Sequence, residues 1–269
     1  MKPRLIVLAA ALVALVTLTS GCQKLRARDN LNRGVQAFKA TKYSDAVEFF
    51  KKAVELDPEF PTARLYLATA YMSQYIPGAD SPENKQYAQS AMEQFTKVLN
   101  ANPKDLLATQ SIANIYYQQK DFDKSEEWNR KVVALDPNNK EAYYILGVIP
   151  WARFLQMDRQ ARVDMGMKPE DPGPLKDKKV RAELKERWMP KLDAGIKAEQ
   201  EALKVDPEYE NAMAYMNLLI RYRADLLDTP ADYKKAVEEA DNWVEKTLKT
   251  QKANAAKKAA AAAGGGQAK

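Results

Sequence analysis

The sequence contains no histidine and a single cysteine in 269 residues. Without histidine it lacks the commonest general base, metal ligand and triad member at neutral pH. A lone Cys22 can close no internal disulfide, so stability has to come from packing. Glycine is scarce, at ten residues, and none builds a glycine-rich phosphate loop. Carboxylates clustered at metal-ligand spacing are missing as well. Nothing points to catalysis by the lysines or carboxylates that remain. The expectation is a chain that is not an enzyme and needs no cofactor and no metal. The one long apolar run, residues 5–18, is too short to span a membrane comfortably.

A basic surface is also lacking, although the net charge is +6. Residues 1–21 hold Lys2 and Arg4, and residues 249–269 hold Lys249, Lys252, Lys257, Lys258 and Lys269, with no acid in either segment. Setting these aside leaves 35 basic against 36 acidic side chains in residues 22–248. The body is therefore near neutral, which argues against nucleic acid as a partner.

What is present is periodicity. Residues 106–119 place Ile112, Ile115 and Tyr116 at helical spacing, residues 120–121 interrupt the stripe, and residues 122–135 resume it through Ser125, Trp128, Val132 and Leu135. Asp136-Pro137 ends the second helix, because proline disfavours the helical region for its predecessor and lacks a backbone donor. Each helix is too short to be stable alone, so the pair has to bury its faces against a copy of itself. Similar endings stand at Leu56-Asp57-Pro58, Ala101-Asn102-Pro103 and Val205-Asp206-Pro207. The intervals between these prolines are one 34-residue unit and two longer ones, whose surplus falls between the two helices of a pair, where it costs little closure entropy.

In this spacing and in its small and aromatic positions the chain resembles the tetratricopeptide repeat (TPR) family. Position 8 of the repeat reads Gly34, Ala68, Ala113 and Gly147, and position 20 reads Ala46, Ala91, Ser125 and Gly195. Position 24 reads Phe50 and Phe95, with Asn129 and Glu199 in place of the aromatic in the third and fourth copies. The resemblance implies an all-α TPR-type α-solenoid of four to five helix pairs, with a long helical insertion in the fourth. The units fall at about 27–60, 61–105 with an insertion, 106–139, 140–209 with an insertion, and 210–249 as a cap, and the whole repeat region at 27–249. In the family the first helices of the pairs line a groove. Carried over, its wall takes in Asn114, Tyr117, Gln118, Tyr144, Trp151 and Arg221, along with Val148, a set that suits an extended peptide. For Trp151, packing against the extended fourth pair is an equal alternative.

Residues 1–21 read as a secretory leader: a basic start, a short apolar core and small residues before Cys22. This resembles the bacterial lipoprotein box, with the leucine one place further upstream than usual. It implies lipidation of Cys22, residues 22–26 as a tether, and a location in the bacterial cell envelope. With Gln23 after the cysteine, the expected location is the outer membrane, facing the periplasm. Acyl chains on Cys22 would hold the protein to the membrane.

Four local expectations complete the reading. Ser81 caps a helix that begins at Pro82. A long helix runs from about Leu175 to Val205, with Pro190 as a point of interruption. Within it, Asp177–Arg181 and Glu183–Arg187 form a self-neutralised, solvated face. Residues 250–269 are a flexible end, a fraying helix giving way to coil. The functional expectation is a membrane-anchored TPR scaffold holding a protein or peptide partner of the envelope, in assembly of an outer-membrane, pilus or secretion complex. The alternative is a lipoprotein that captures a peptide, glycan or cell-wall fragment in the groove.

Overall fold

The aspartate- or asparagine-proline signals fold into the same turn at all four places. The residue before the proline donates its N–H to the carbonyl four residues back: Asp57 to Ala53, Asn102 to Val98, Asp136 to Val132 and Asp206 to Ala202. Its own carbonyl then accepts from the residue three ahead, Phe60, Asp105, Asn139 or Tyr209, at 3.0–3.1 Å. The next helix starts three residues after each proline, at Pro61, Leu106, Lys140 and Glu210. The computed structural model describes residues 3–264, with side chains from 21 to 261. The helices in that span are α1 (Pro3–Lys39), α2 (Tyr43–Leu56), α3 (Pro61–Met72), α4 (Pro82–Ala101), α5 (Leu106–Gln118) and α6 (Phe122–Leu135). They continue as α7 (Lys140–Asp164), α8 (Lys178–Val205), α9 (Glu210–Ala224) and α10 (Pro230–Gly264). The fold is all-α, and no strand occurs among the described residues. The leader read at residues 1–21 lies, apart from Gly21, outside the described side chains, and so do the last residues of the tail.

The chain divides into two compact units, Met1–Trp128 and Asn129–Lys269. In the first, α1 pairs with α2 and α3 with α4, and α4 packs on α5. Its core runs from Phe50 and Leu67 to Phe95, Ile112 and Ile115, all buried. The close approach of α1 to α2 depends on Gly34, where a Cβ would overlap the Phe50 ring. Ser81 accepts from the Asn84 N–H and caps α4, with Pro82 in its first turn. The preceding loop is tied down by Asn84, whose side chain bonds Ile76 N and the carbonyls of Ile76 and Ala79.

In the second unit α7 pairs with α8 and α9 with α10, and α9 also meets α7 and α8. The insertion lengthens both helices of the fourth pair. Pro150 and Pro190 lie inside α7 and α8, which continue through them, so α8 is not interrupted where the sequence suggested a break. Burial of Trp188 and Leu192 on either side of Pro190 supplies the packing that offsets the lost backbone bond. α8 begins at Lys178 rather than Leu175, because Asp177 caps it through bonds to Lys179 N and Val180 N. Leu175 instead belongs to the connecting segment, fully buried, with its N–H bonded to Asp225 O.

One further expectation changes. Arg181 is buried rather than solvated: it donates to the Leu175 and Asp228 carbonyls, while Asp177 is occupied as the helix cap. Arg187 lies over the Trp188 ring, 5.7 Å from its centroid. The alanine-rich stretch after Thr250 is helical through Gly264. Alanine is the best helix former, and Asn254 bonds Glu210 at the start of α9 while Lys257 bonds Glu208 in the turn before it.

Candidate binding surfaces

In the first unit, Asn114, Tyr117 and Gln118 sit three and four residues apart and share one face of α5. The other face, carrying Ile112 and Ile115, goes to the core. Asn114 is exposed, while Tyr117 and Gln118 are half-buried. Tyr117 leans on Phe122, with ring centroids 6.1 Å apart. Gln118 reaches the lip of a cleft of about 510 Å³ shared with Tyr75, Asn84 and Met92. Two turns before Asn114, Leu107 is half-exposed and adds apolar area to the same side of the helix. This is an amide-and-ring surface on a rigid helix.

In the second unit the expected wall residues are drawn into packing. Tyr144 and Trp151 are seven apart on α7, and Tyr215 and Tyr222 are seven apart on α9, so the two helices present matching aromatic rows. Tyr144 meets Tyr209 and Tyr215 edge-on at 5.8 and 5.3 Å. Trp151 meets Tyr215 and Tyr222 at 5.1 and 6.3 Å. Its indole N–H is buried with no acceptor, and the ring belongs to the core that includes Phe154 and Leu192. Val148, expected on the wall, is buried. Arg221 is held by Asn217 Oδ1 at 2.7 Å and by Asp241.

Beside this seam lies a cleft of about 600 Å³ that the sequence reading missed. Its floor is a buried ion cluster. Arg162 donates to Asp158 Oδ2 at 3.0 Å, to Asp225 Oδ1 at 2.7 Å and to the Asp171 carbonyl at 3.0 Å. Burial, then the charge of Asp225, pushes the Asp158 carboxyl up to about 6 despite Arg162. Burial also raises Asp225, against the pull of Arg162. Burial alone would lower Arg162, but the hydrogen bond and charge of Asp225 outweigh it, and the guanidinium stays above its ordinary value. The other oxygen of Asp158, Oδ1, is buried and receives no hydrogen bond. Tyr222 and Tyr233 line the walls, and Arg159, Glu170 and Arg221 also line the cleft. Asp158 and Arg162 form an acid-before-base pair four apart, visible in the sequence. Asp225 is 63 residues further on, and no local pattern joins it to them.

No group of three histidine, cysteine or acidic side chains able to hold a metal occurs among the described residues. Nor, within the same residues, is any helix long and apolar enough to cross a membrane. Cys22 is exposed on α1.

The profile of the Tetratricopeptide repeat family matches residues 31–75 and 86–140. No curated protein matches the chain in sequence. Among solved structures, MamA (residues 41 to the end) from Desulfovibrio magneticus RS-1 superimposes with a TM-score of 0.56 at 16% identity, covering 85% of this chain and 96% of that one. A MamA RS-1 ArsTM double mutant gives 0.57 at the same identity and coverage. YrrB, described as a TPR protein with an unusual peptide-binding site, gives 0.51 at 15% identity, covering 84% and 90%. At such identities these likenesses establish the fold. The fourth and fifth pairs, beyond the matched residues, are tied to the first three by the recurring proline turn.

Proposed function

We propose, on the premise that this chain is a tetratricopeptide repeat protein, that it is a non-catalytic scaffold holding a protein partner of the bacterial envelope. The observation that carries this reading is the outward face of α5. Asn114 is exposed there beside Tyr117 and Gln118, on a helix whose opposite side is locked into the core. Amides can pair with the backbone of an extended peptide, and a tyrosine ring adds contact area at little entropic cost. Tyr144 and Trp151 pack within the second unit and Arg221 is ion-paired with Asp241 at its surface, so the partner surface proposed here is the α5 face alone.

The anchor is the second part of the proposal. Cys22 follows the leader directly and is exposed on α1, as acylation requires. Several acyl chains on one residue hold a protein stably to a bilayer. The outer membrane, facing the periplasm, is the location we favour, and assembly of an outer-membrane, pilus or secretion complex is the process.

Crosslinking in cells followed by capture tests the partner surface. The Asn114→Ala/Gln118→Ala variant should retain wild-type helicity and lose most of its crosslinked partner. Undiminished capture by a folded variant would rule out the α5 face.

A further inference from the structure

The near-neutral sum over residues 22–248 conceals one local imbalance. Of its 35 basic and 36 acidic side chains, six and one fall in residues 22–42, leaving 29 and 35 in residues 43–248. The excess centres on Lys24, Arg26 and Arg28, at the near end of the described part of α1. All three are exposed, and among the described residues no carboxylate lies within ion-pair distance of any of them. Arg33, further along the helix, is occupied, lying over the Phe49 ring at 4.5 Å from its centroid. Between the free cations Leu25 is 70% exposed. Cys22, Leu25 and Arg26, three and four apart, share one side of α1, and Lys24 and Arg28 share the next. Ala27 and Leu31 turn the other way, Ala27 fully buried and Leu31 packed against the core of the first two pairs.

We infer that this stretch of α1 is a second membrane contact, in which Lys24, Arg26 and Arg28 bind the headgroups of anionic phospholipid and Leu25 enters the apolar boundary beside Cys22. For its orientation the contact rests on the reading of Cys22 as the acylated residue; for its charge it does not. From Cys22 to Arg28 the helix axis advances about 9 Å, close to the screening length of about 8 Å at physiological salt. A bilayer holding acyl chains on Cys22 is therefore within electrostatic reach of all three cations. Charge complementarity selects the occupant: unpaired cations around an exposed leucine match a surface that is anionic outside and apolar beneath. Residues 43–248, with their acidic excess, are repelled by the same surface, so the contact falls to α1 rather than to the repeats as a whole. Each basic side chain near such a surface contributes about fivefold in binding, and three contribute on the order of a hundredfold.

The test is vesicle co-flotation of the full chain made by membrane-free cell-free synthesis, which carries no acyl group. One set of vesicles is phosphatidylcholine alone, and the other holds phosphatidylglycerol and phosphatidylcholine in about equal amounts. The wild type is compared with Lys24→Gln/Arg26→Gln/Arg28→Gln, whose exposed substitutions keep helix propensity and should leave the circular-dichroism spectrum unchanged. Lys2 and Arg4 are common to both chains and cancel in the comparison. The preference for the anionic vesicles should fall on the order of a hundredfold in the triple variant, with binding to phosphatidylcholine unchanged. In about 1 M salt, where the screening length shrinks to about 3 Å, the two chains should bind alike. An equal anionic preference in both chains would overturn the inference. So would equal weakening on both kinds of vesicle, or a difference that persists in high salt. The acyl anchor is read separately: an unmodified Cys22 in protein taken from cells, seen by mass spectrometry, would overturn the anchor and leave this contact standing.

Discussion

Glu199 occupies the place where an earlier pair puts an aromatic ring. In the first pair Gly34 on one helix makes room for Phe50 on the other. In the fourth pair, Gly147 makes the same room for Glu199, whose carboxyl a Cβ there would overlap. Glu199 is fully buried and neither oxygen has a partner. Burial pushes its pKa from an ordinary 4.5 up to about 10, so the folded protein holds a neutral carboxyl at pH 7. The unfolded chain loses that proton near pH 4.5. The contribution of this group to stability is therefore full below 4.5, falls as pH rises towards 10, and levels off above, with a slope of at most about 1.4 kcal/mol per pH unit. Urea midpoints measured from pH 5 to 9 should fall for the wild type, and Glu199→Gln should remove that part of the slope. Glu199→Leu should raise stability at pH 7 by about 2 kcal/mol. Parallel curves for wild type and Glu199→Gln would contradict the buried, protonated state.

At the scale of elements, three helix ends show one device. After α1, Thr41 N bonds Phe38 O and Lys42 N bonds Ala37 O. After α5, Lys120 and Asp121 repeat the pair of bonds to Tyr117 and Tyr116, and after α7, Gly166 and Met167 repeat it to Val163 and Arg162. This is the C-terminal cap that needs a left-handed residue at its centre. The φ angles there are +60° at Thr41, +60° at Lys120 and +64° at Gly166. Glycine adopts that conformation freely, whereas threonine and lysine pay a steric cost of about 1 kcal/mol. Thr41→Gly and Lys120→Gly should therefore each raise the thermal midpoint, and Gly166→Ala should lower it, in calorimetric scans. Destabilisation by both glycine substitutions would contradict the assignment. These turns show what the sequence could and could not disclose. The helix ends at Pro58, Pro103, Pro137 and Pro207 were legible, because proline imposes a local rule. The left-handed turns at Thr41 and Lys120 were not, because neither residue announces one. The repeat position leaves Trp151 between a groove and packing against the fourth pair, and puts Arg221 on the groove. Their actual partners, Tyr215 and Asp241, come from packing that spacing alone does not encode.

At the scale of the whole molecule, charge and repeat tell one story. Residues 22–248 are nearly neutral, so recognition has to rest on shape and on particular polar groups rather than on a general field. In the first unit the outward face of α5, bearing Asn114, offers such groups. The neutral body and the repeat were readable from the chain. The cleft was not, because Asp158, Arg162 and Asp225 meet only after α7 and α9 have packed.

Site-specific photo-crosslinking tests the central claim most directly, with a photoreactive residue placed at Asn114 in one strain and at Thr96, an exposed position of α4, in another. The account predicts a discrete protein adduct from position 114 and none from position 96. The same adduct from both positions, or none from position 114, would contradict it.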